Sequence, residues 1–204
     1  TGSDSETWAA RDGRGGNRLF CDFTFAGCGG SDVGLRSAGV ETVWANELSE
    51  SACELYERVT GLKTMHPGDI RKVNRFPKAD ILAGCYPCQG YSQGGRRDHT
   101  DGINFLYREF DRVLRKVRPL AFIVENVDGM RFSHNSHLLL NQIVRFRSAG
   151  YWVNWRVLDA KDYGLAQDRR RLFIVGIRSS EGVRYDFPKP THGQKGGPAY
   201  RTLK

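Results

Sequence analysis

The chain has 204 residues, 39% hydrophobic and 26% charged, enough to bury the core of one domain, and none of its apolar runs is long enough to cross a bilayer. Five cysteines, an odd number at irregular spacing, argue against a disulfide framework and for reduced thiols in an intracellular setting, cytoplasmic or nuclear according to the host. Lys and Arg number 31 against 23 Asp and Glu, and a formal charge of +8 favours polyanion partners such as nucleic acid.

Residues 1–17 are rich in Gly, Ser, Arg and Asp without an apolar period, and are expected to form a flexible lead. Residues 19–25 are a β-rich run that ends in Ala26-Gly27-Cys28-Gly29-Gly30, and 31–39 has the Ser/Asp start and Gly stop of a short helix. Strand, glycine turn and helix open a nucleotide-binding α/β unit, because small residues let the backbone approach a ligand closely. Taken alone, such a turn is as readily a tight connector. Residues 40–46 read as a second strand, which puts Glu47 where such units hold a ribose, since a carboxylate can accept from two vicinal hydroxyls. Ser49 then caps a helix to about residue 59, with Glu50 in its first turn. After a Pro-Gly turn, Asp69 suits an adenine amino group and Ile70 the ring, although an Asp here is by default a turn former.

Ile81-Leu82-Ala83 reads as a buried strand that runs into Gly84-Cys85-Tyr86-Pro87-Cys88-Gln89-Gly90-Tyr91-Ser92. Gly84, Pro87 and Gly90 break regular structure, so Cys88 is expected on a tight loop at a strand's carboxyl end, the edge where open α/β sheets bind ligands. A thiol there is a nucleophile if its pKa falls from about 8.5, and loop amides or the cations Arg96 and Arg97 could lower it. A buried structural cysteine is one competing reading, and a Cys85/Cys88 redox pair or half zinc site is another. No second pair or spaced histidines support zinc. Residues 93–102 are polar and Gly-rich, long enough for a mobile binding loop, and Arg96 and Arg97 suit phosphate.

Residues 104–117 carry helical apolar spacing that includes Leu106, and Pro119 ends the pattern. Residues 120–124 read as a strand with Glu125-Asn126-Val127 at its carboxyl edge, the same edge as Cys88. Residues 136–149 form a helix closed by Gly150. Residues 151–158 and 172–177 read as antiparallel strands joined by 159–171, and the Pro/Gly-rich tail from Phe187 is expected to be irregular.

Together these segments resemble the DNA (cytosine-5) methyltransferase family, which uses S-adenosylmethionine, over residues 18–194 and in the family's motif order. Phe25-Ala26-Gly27-Cys28-Gly29-Gly30 is similar to the cofactor glycine motif, and Trp44-Ala45-Asn46-Glu47 to its ribose-binding partner. Pro87-Cys88-Gln89-Gly90-Tyr91-Ser92 is similar to the nucleophile motif, Glu125-Asn126-Val127 to the motif that supplies an acid, and Gln167-Asp168-Arg169-Arg170-Arg171 to the family's Q-x-R-x-R. The resemblance implies a Rossmann-like α/β methyltransferase fold in residues 18–186. Its sheet is mostly parallel with an antiparallel hairpin at the C-terminal end, and helices cover both faces. Residues 187–204 would then begin a linker or target-recognition region.

In that family a thiolate adds to cytosine C6, C5 takes the methyl group, and loss of the C5 proton and of the thiol completes the exchange on a base flipped out of the duplex. The resemblance assigns the thiolate to Cys88, the acid at N3 to Glu125, and contacts to O2 and backbone to Arg169 and Arg171. An acid protonated near neutral pH needs a partly buried, apolar setting, which residues 122–124 are expected to provide. The cofactor, leaving as S-adenosylhomocysteine, is implied against Phe25, Gly27, Gly29, Glu47, Leu48, Asp69, Ile70, Pro87 and Leu106. Gln89, Ser92, Arg96, Arg97, Asn126 and Gln167 are implied on the side of double-stranded DNA. Family members continue past the position of Gln194 into a recognition domain, so further chain or a second polypeptide is implied. Alternatives are the tRNA-methylating branch, whose motif usually reads Pro-Pro-Cys-Gln-Pro-Phe-Thr, a catalytically silent subunit, and a C-x-x-C oxidoreductase.

Overall fold

A computed structural model describes residues 18–87, 105–132 and 136–202. Its strands are β1 (Leu19–Thr24), β2 (Val40–Glu47), β3 (Met65–Pro67), β4 (Ile81–Gly84), β5 (Ala121–Val127), β6 (Tyr151–Asp159) and β7 (Arg170–Arg178). They form one sheet in the order β3-β2-β1-β4-β5-β7-β6. β3 through β5 pair in parallel, whereas β7 runs antiparallel to both β5 and β6, the hairpin expected from sequence. Strand order reverses between β1 and β4, and at such a switch the loops beyond the carboxyl ends part to leave a crevice.

Four helices are described: α1 (Gly30–Ser37), α2 (Glu50–Thr60), α3 (Tyr107–Val117) and α4 (Ser136–Ser148). α1 and α2 pack on one sheet face through Leu35, Cys53 and Tyr56 against Cys21, Phe23, Val40 and Ala45. α3 and α4 cover the other face with a larger core of Phe110, Val113, Leu114, Leu139, Ile143 and Phe146 on Leu82, Phe122, Val124 and Ile174. There Phe110, Phe122, Phe146 and Tyr151 meet edge to face at centroid distances of 4.9–5.9 Å, the arrangement aromatic quadrupoles favour. Asp111, 1% exposed, ties α3 to α4 by accepting from Arg115 Nε at 3.0 Å and Arg145 Nη2 at 2.6 Å.

Expected and observed elements differ in three places. β5 continues to Val127, so Glu125 and Asn126 are strand residues; pairing with β7 (Glu125↔Phe173, Val127↔Arg171) carries the strand past the apolar run that marks it in sequence. β3 has no sequence signal, because three residues show no period, and it exists through its pairing with the end of β2. α3 is described from Tyr107, and Leu106 is its N-cap rather than a helical residue. After β7 the tail is irregular, as expected, yet it packs back: Phe187 is buried with Arg156 over its ring, and the amides of Thr191 and His192 donate to Asp162 O. No described helix is long and apolar enough to cross a membrane. The expectations for residues 1–17 and for the 93–102 loop fall outside the described residues, as do Cys88, Gln89, Ser92, Arg96 and Arg97.

Candidate active site

The glycine turn leaves β1 with three consecutive odd positions in the left-handed region: Phe25 at φ 56°, Gly27 at 54° and Gly29 at 85°. A non-glycine residue there is unusual and strained. Phe25 sits edge-on to Tyr86 at 6.1 Å, a contact with the segment that follows β4. Gly29 caps α1 and accepts from Val33 N at 3.0 Å, so the turn passes directly into the positive end of a helix.

Glu47, at the end of β2, reaches back to this turn. Its Oε2 accepts from Gly27 N at 3.0 Å, and its Oε1 from Leu48 N at 2.8 Å and Ser49 N at 3.1 Å. A carboxylate has about four lone-pair sites and the amides take three, so Oε2 can still accept from one hydroxyl while the amides are held. Leu48 beside it is 67% exposed, an apolar surface open to a ring.

The turn after β3 carries Asp69 and Ile70, and neither stands free. Asp69 caps the short 3-10 turn Ile70–Lys72, accepting from Arg71 N, and Arg71 pairs with its carboxylate at 2.7–2.9 Å. Those bonds hold its pKa below the usual carboxylate range. Ile70 is 3% exposed and packed in the core cluster that contains Trp44. The turn that carries them is tied to the end of β2: Asn46 Nδ2 donates to His66 O and Gly68 O, and Gly68 N donates to Glu47 O at 2.8 Å.

At the carboxyl end of β5, Glu125 meets both predicted arginines. Arg171 Nε lies 3.0 Å from Glu125 Oε1 and Arg169 Nη2 lies 3.5 Å from the same oxygen, although they are 46 and 44 residues away in sequence. The antiparallel register brings them together, because Arg171 stands opposite Val127, two residues along the same face from Glu125. The apolar setting expected for this carboxyl is shared with charge: Ile123 and Phe173 line a cavity with Glu125, and two guanidiniums pair with it. Side chains alternate along a strand, so Phe122 and Val124 point into the α3/α4 core and leave Glu125, 22% exposed at its side chain, against two guanidiniums. Next to them Arg170 pairs with Asp128 at 3.2 Å, and Gln167 is exposed on the β6–β7 connection.

Asn126, expected on the DNA side, is 3% exposed and donates to Tyr86 O at 3.2 Å, holding the segment that leads into Pro87. Pro87 and Leu106 are both half-buried, Leu106 against the α3/α4 core. Cys85 lines an apolar cavity of about 300 Å³ with Phe23, Ile123, Phe173 and Glu125. Burial and the Glu125 charge push its thiol up to about 11, so Cys85 is a poor nucleophile. Among the described residues no group of three or more His, Cys, Asp or Glu could hold a metal. Sequence reasoning assigned no role to Asn46 or Asp128; a polar residue closing the β2 run was the available signal for the first.

The family model for C-5 cytosine-specific DNA methylase matches residues 20–199. The chain is 36% identical to the Type II methyltransferase M.BsuRI of Bacillus subtilis, across 88% of this chain and 48% of that protein. It is 35% identical to the Type II methyltransferase M.BspRI of Lysinibacillus sphaericus, across 85% of this chain and 48% of that protein. The chain thus spans about half the length of the curated relatives it matches. Among solved structures, a protein described as a DNA modification methyltransferase encoded within an E. coli prophage superposes with a TM-score of 0.71 at 25% identity, over 82% of this chain and 49% of its own.

Proposed function

Since the chain belongs to the C-5 cytosine-specific DNA methylase family, we propose that this protein methylates C5 of cytosine in double-stranded DNA with S-adenosylmethionine, in a restriction-modification setting. The observation that carries the reading is the convergence of Glu125, Arg169 and Arg171 at the sheet edge that also bears the glycine turn. The residues present fit the cofactor: no described residue lies within 4 Å of where a side chain on Gly27 would point, and Glu47 and exposed Leu48 stand next to that opening. When bound, the cofactor supplies an electrophilic methyl group.

The chain's own residues do the rest. Cys88 adds as thiolate to C6, which places an electron pair at C5; C5 would take the methyl group with S-adenosylhomocysteine as leaving group, the C5 proton would pass to water, and elimination of the Cys88 thiolate restores the aromatic ring. Glu125 stabilises the charge that builds at N3 by donating a hydrogen bond there. Arg169 and Arg171 hold the Glu125 carboxyl in place for that contact. A guanidinium has five N–H donors, so the same arginines can hold Glu125 and still donate to cytosine O2. Asn126 fixes the Tyr86 backbone and thereby the approach to Cys88. Base flipping is required for C6 to be reached, and the surplus of basic residues offsets part of its cost through phosphate contacts. Gly90-Tyr91-Ser92 in the nucleophile motif favours DNA over tRNA, and a recognition region, on this or a second chain, selects the site.

The test is tritiated methyl transfer to DNA together with trapping on a 5-fluorocytosine duplex, with the recognition region present. Wild type should transfer and form a covalent adduct, Cys88→Ser should do neither, and Glu125→Gln should lose about 10²–10⁴-fold in rate. Neither transfer nor adduct from wild type would sink the proposal.

A further inference from the structure

Resting on the cofactor reading above, we propose that Asn46 is the positioning residue that fastens the two halves of the cofactor pocket to one another. One half is the glycine turn and the other is the turn after β3 that carries Asp69 and Ile70. They lie about forty residues apart in sequence and share no described hydrogen bond of their own. Asn46 joins them. Its backbone carbonyl accepts from Ala26 N at 3.0 Å on one side, and its carboxamide Nδ2 donates to His66 O at 2.8 Å and Gly68 O at 3.0 Å on the other. The side chain is sealed from solvent, with the residue 2% exposed.

The chemistry singles out asparagine. Two carbonyl oxygens flank one position, and a carboxamide nitrogen offers two N–H groups without charge. An aspartate would set an acceptor against two acceptors, a serine has one donor, and an alanine removes both side-chain bonds. Glu47 completes the arrangement from the next position, since its backbone accepts from Gly68 N and its carboxylate from Gly27 N. The pair at the end of β2 therefore sets the distance between the ribose side and the adenine side of the pocket.

The expected signature is a defect in cofactor binding with the chemical step intact. Asn46→Ala and Asn46→Ser should raise the Kd for S-adenosylhomocysteine by about 10–100-fold and about 3–10-fold. The KM for S-adenosylmethionine should rise in parallel, with kcat at saturation within about threefold of wild type. Asp111→Asn, remote from the pocket, serves as a destabilised control and should bind the cofactor product as wild type does. A Kd for folded Asn46→Ser equal to that of wild type overturns the inference. So does a Kd loss in Asp111→Asn that matches the Asn46 variants, which would make the effect one of stability alone. If Asn46→Ala does not fold, hydrogen exchange on the wild type decides: S-adenosylhomocysteine should slow the amides of Gly27 and Gly68 together, and protection of only one segment overturns the inference. A wild type that binds no S-adenosylhomocysteine refutes instead the function on which the inference stands.

Discussion

Gly27 and Gly29 flank Cys28 in one turn, both at positive φ, and a methyl group added to each should do different damage. At Gly29 the new Cβ would stand 2.7 Å from Thr60 Cγ2 and 3.0 Å from Tyr56 Cδ2, inside the packing of α2, whereas at Gly27 it would meet no described residue within 4 Å. A left-handed alanine costs about 1–2 kcal/mol at either position, and forcing a methyl into packed side chains adds about 1–3 kcal/mol. Gly29→Ala should therefore lower the free energy of unfolding by about 2–5 kcal/mol and Gly27→Ala by about 1–2 kcal/mol. Cofactor affinity should reverse the order. The open side of Gly27 is the volume assigned to the nucleoside, so Gly27→Ala should weaken S-adenosylhomocysteine binding by at least about tenfold, or 1.4 kcal/mol, while folded Gly29→Ala keeps most of it. Urea unfolding gives the first ranking, and calorimetric titration at a temperature where both variants are folded gives the second. A Gly27→Ala protein that binds like wild type would show that the cofactor does not lie against this turn.

Two further outcomes follow from buried groups. Asp111→Asn removes the charge that accepts from Arg115 and Arg145, but both arginines are partly exposed and water takes up some of the loss, so about 1.5–3 kcal/mol of stability should go; an unchanged urea midpoint would contradict this. Cys85 has its thiol pushed up to about 11 from an ordinary 9.0, chiefly by burial and then by the charge of Glu125. A raised thiol pKa means that its contribution is intact below pH 9 and declines as pH rises toward 11. Between pH 9 and 10 wild type should lose about 1 kcal/mol more stability than Cys85→Ala, and parallel pH profiles would refute the assignment.

Much of the fold was legible because its signals are local. The β1 run, the glycine turn and the Ser49 cap each specify a conformation through the residues that adopt it. Alternation and turn chemistry announced the β6–β7 hairpin in the same way. Glu47 was placed correctly at the end of β2, yet its grip on Gly27 N was not foreseeable, since a hydrogen bond across 20 residues leaves no periodic trace. Ile70 shows the opposite case: its type suited a ring contact, and its 3% exposure came from the packing of a 3-10 turn into the core.

By itself the sequence determined the order of elements, the sheet's parallel core and the residue types gathered at its carboxyl edge, because helix and strand periods, caps and glycine turns act over a few residues. Only the tertiary structure decided which of those residues touch. The β5–β7 register set Glu125 against Arg169 and Arg171 beside an apolar cavity that it helps to line, and strand alternation turned Phe122 and Val124 away from it. The pairing of β2 with β1 and β3 made Asn46 the link between two distant turns. Register is a property of two strands at once, fixed by the packing of both faces, and so it is written in no single stretch of the chain.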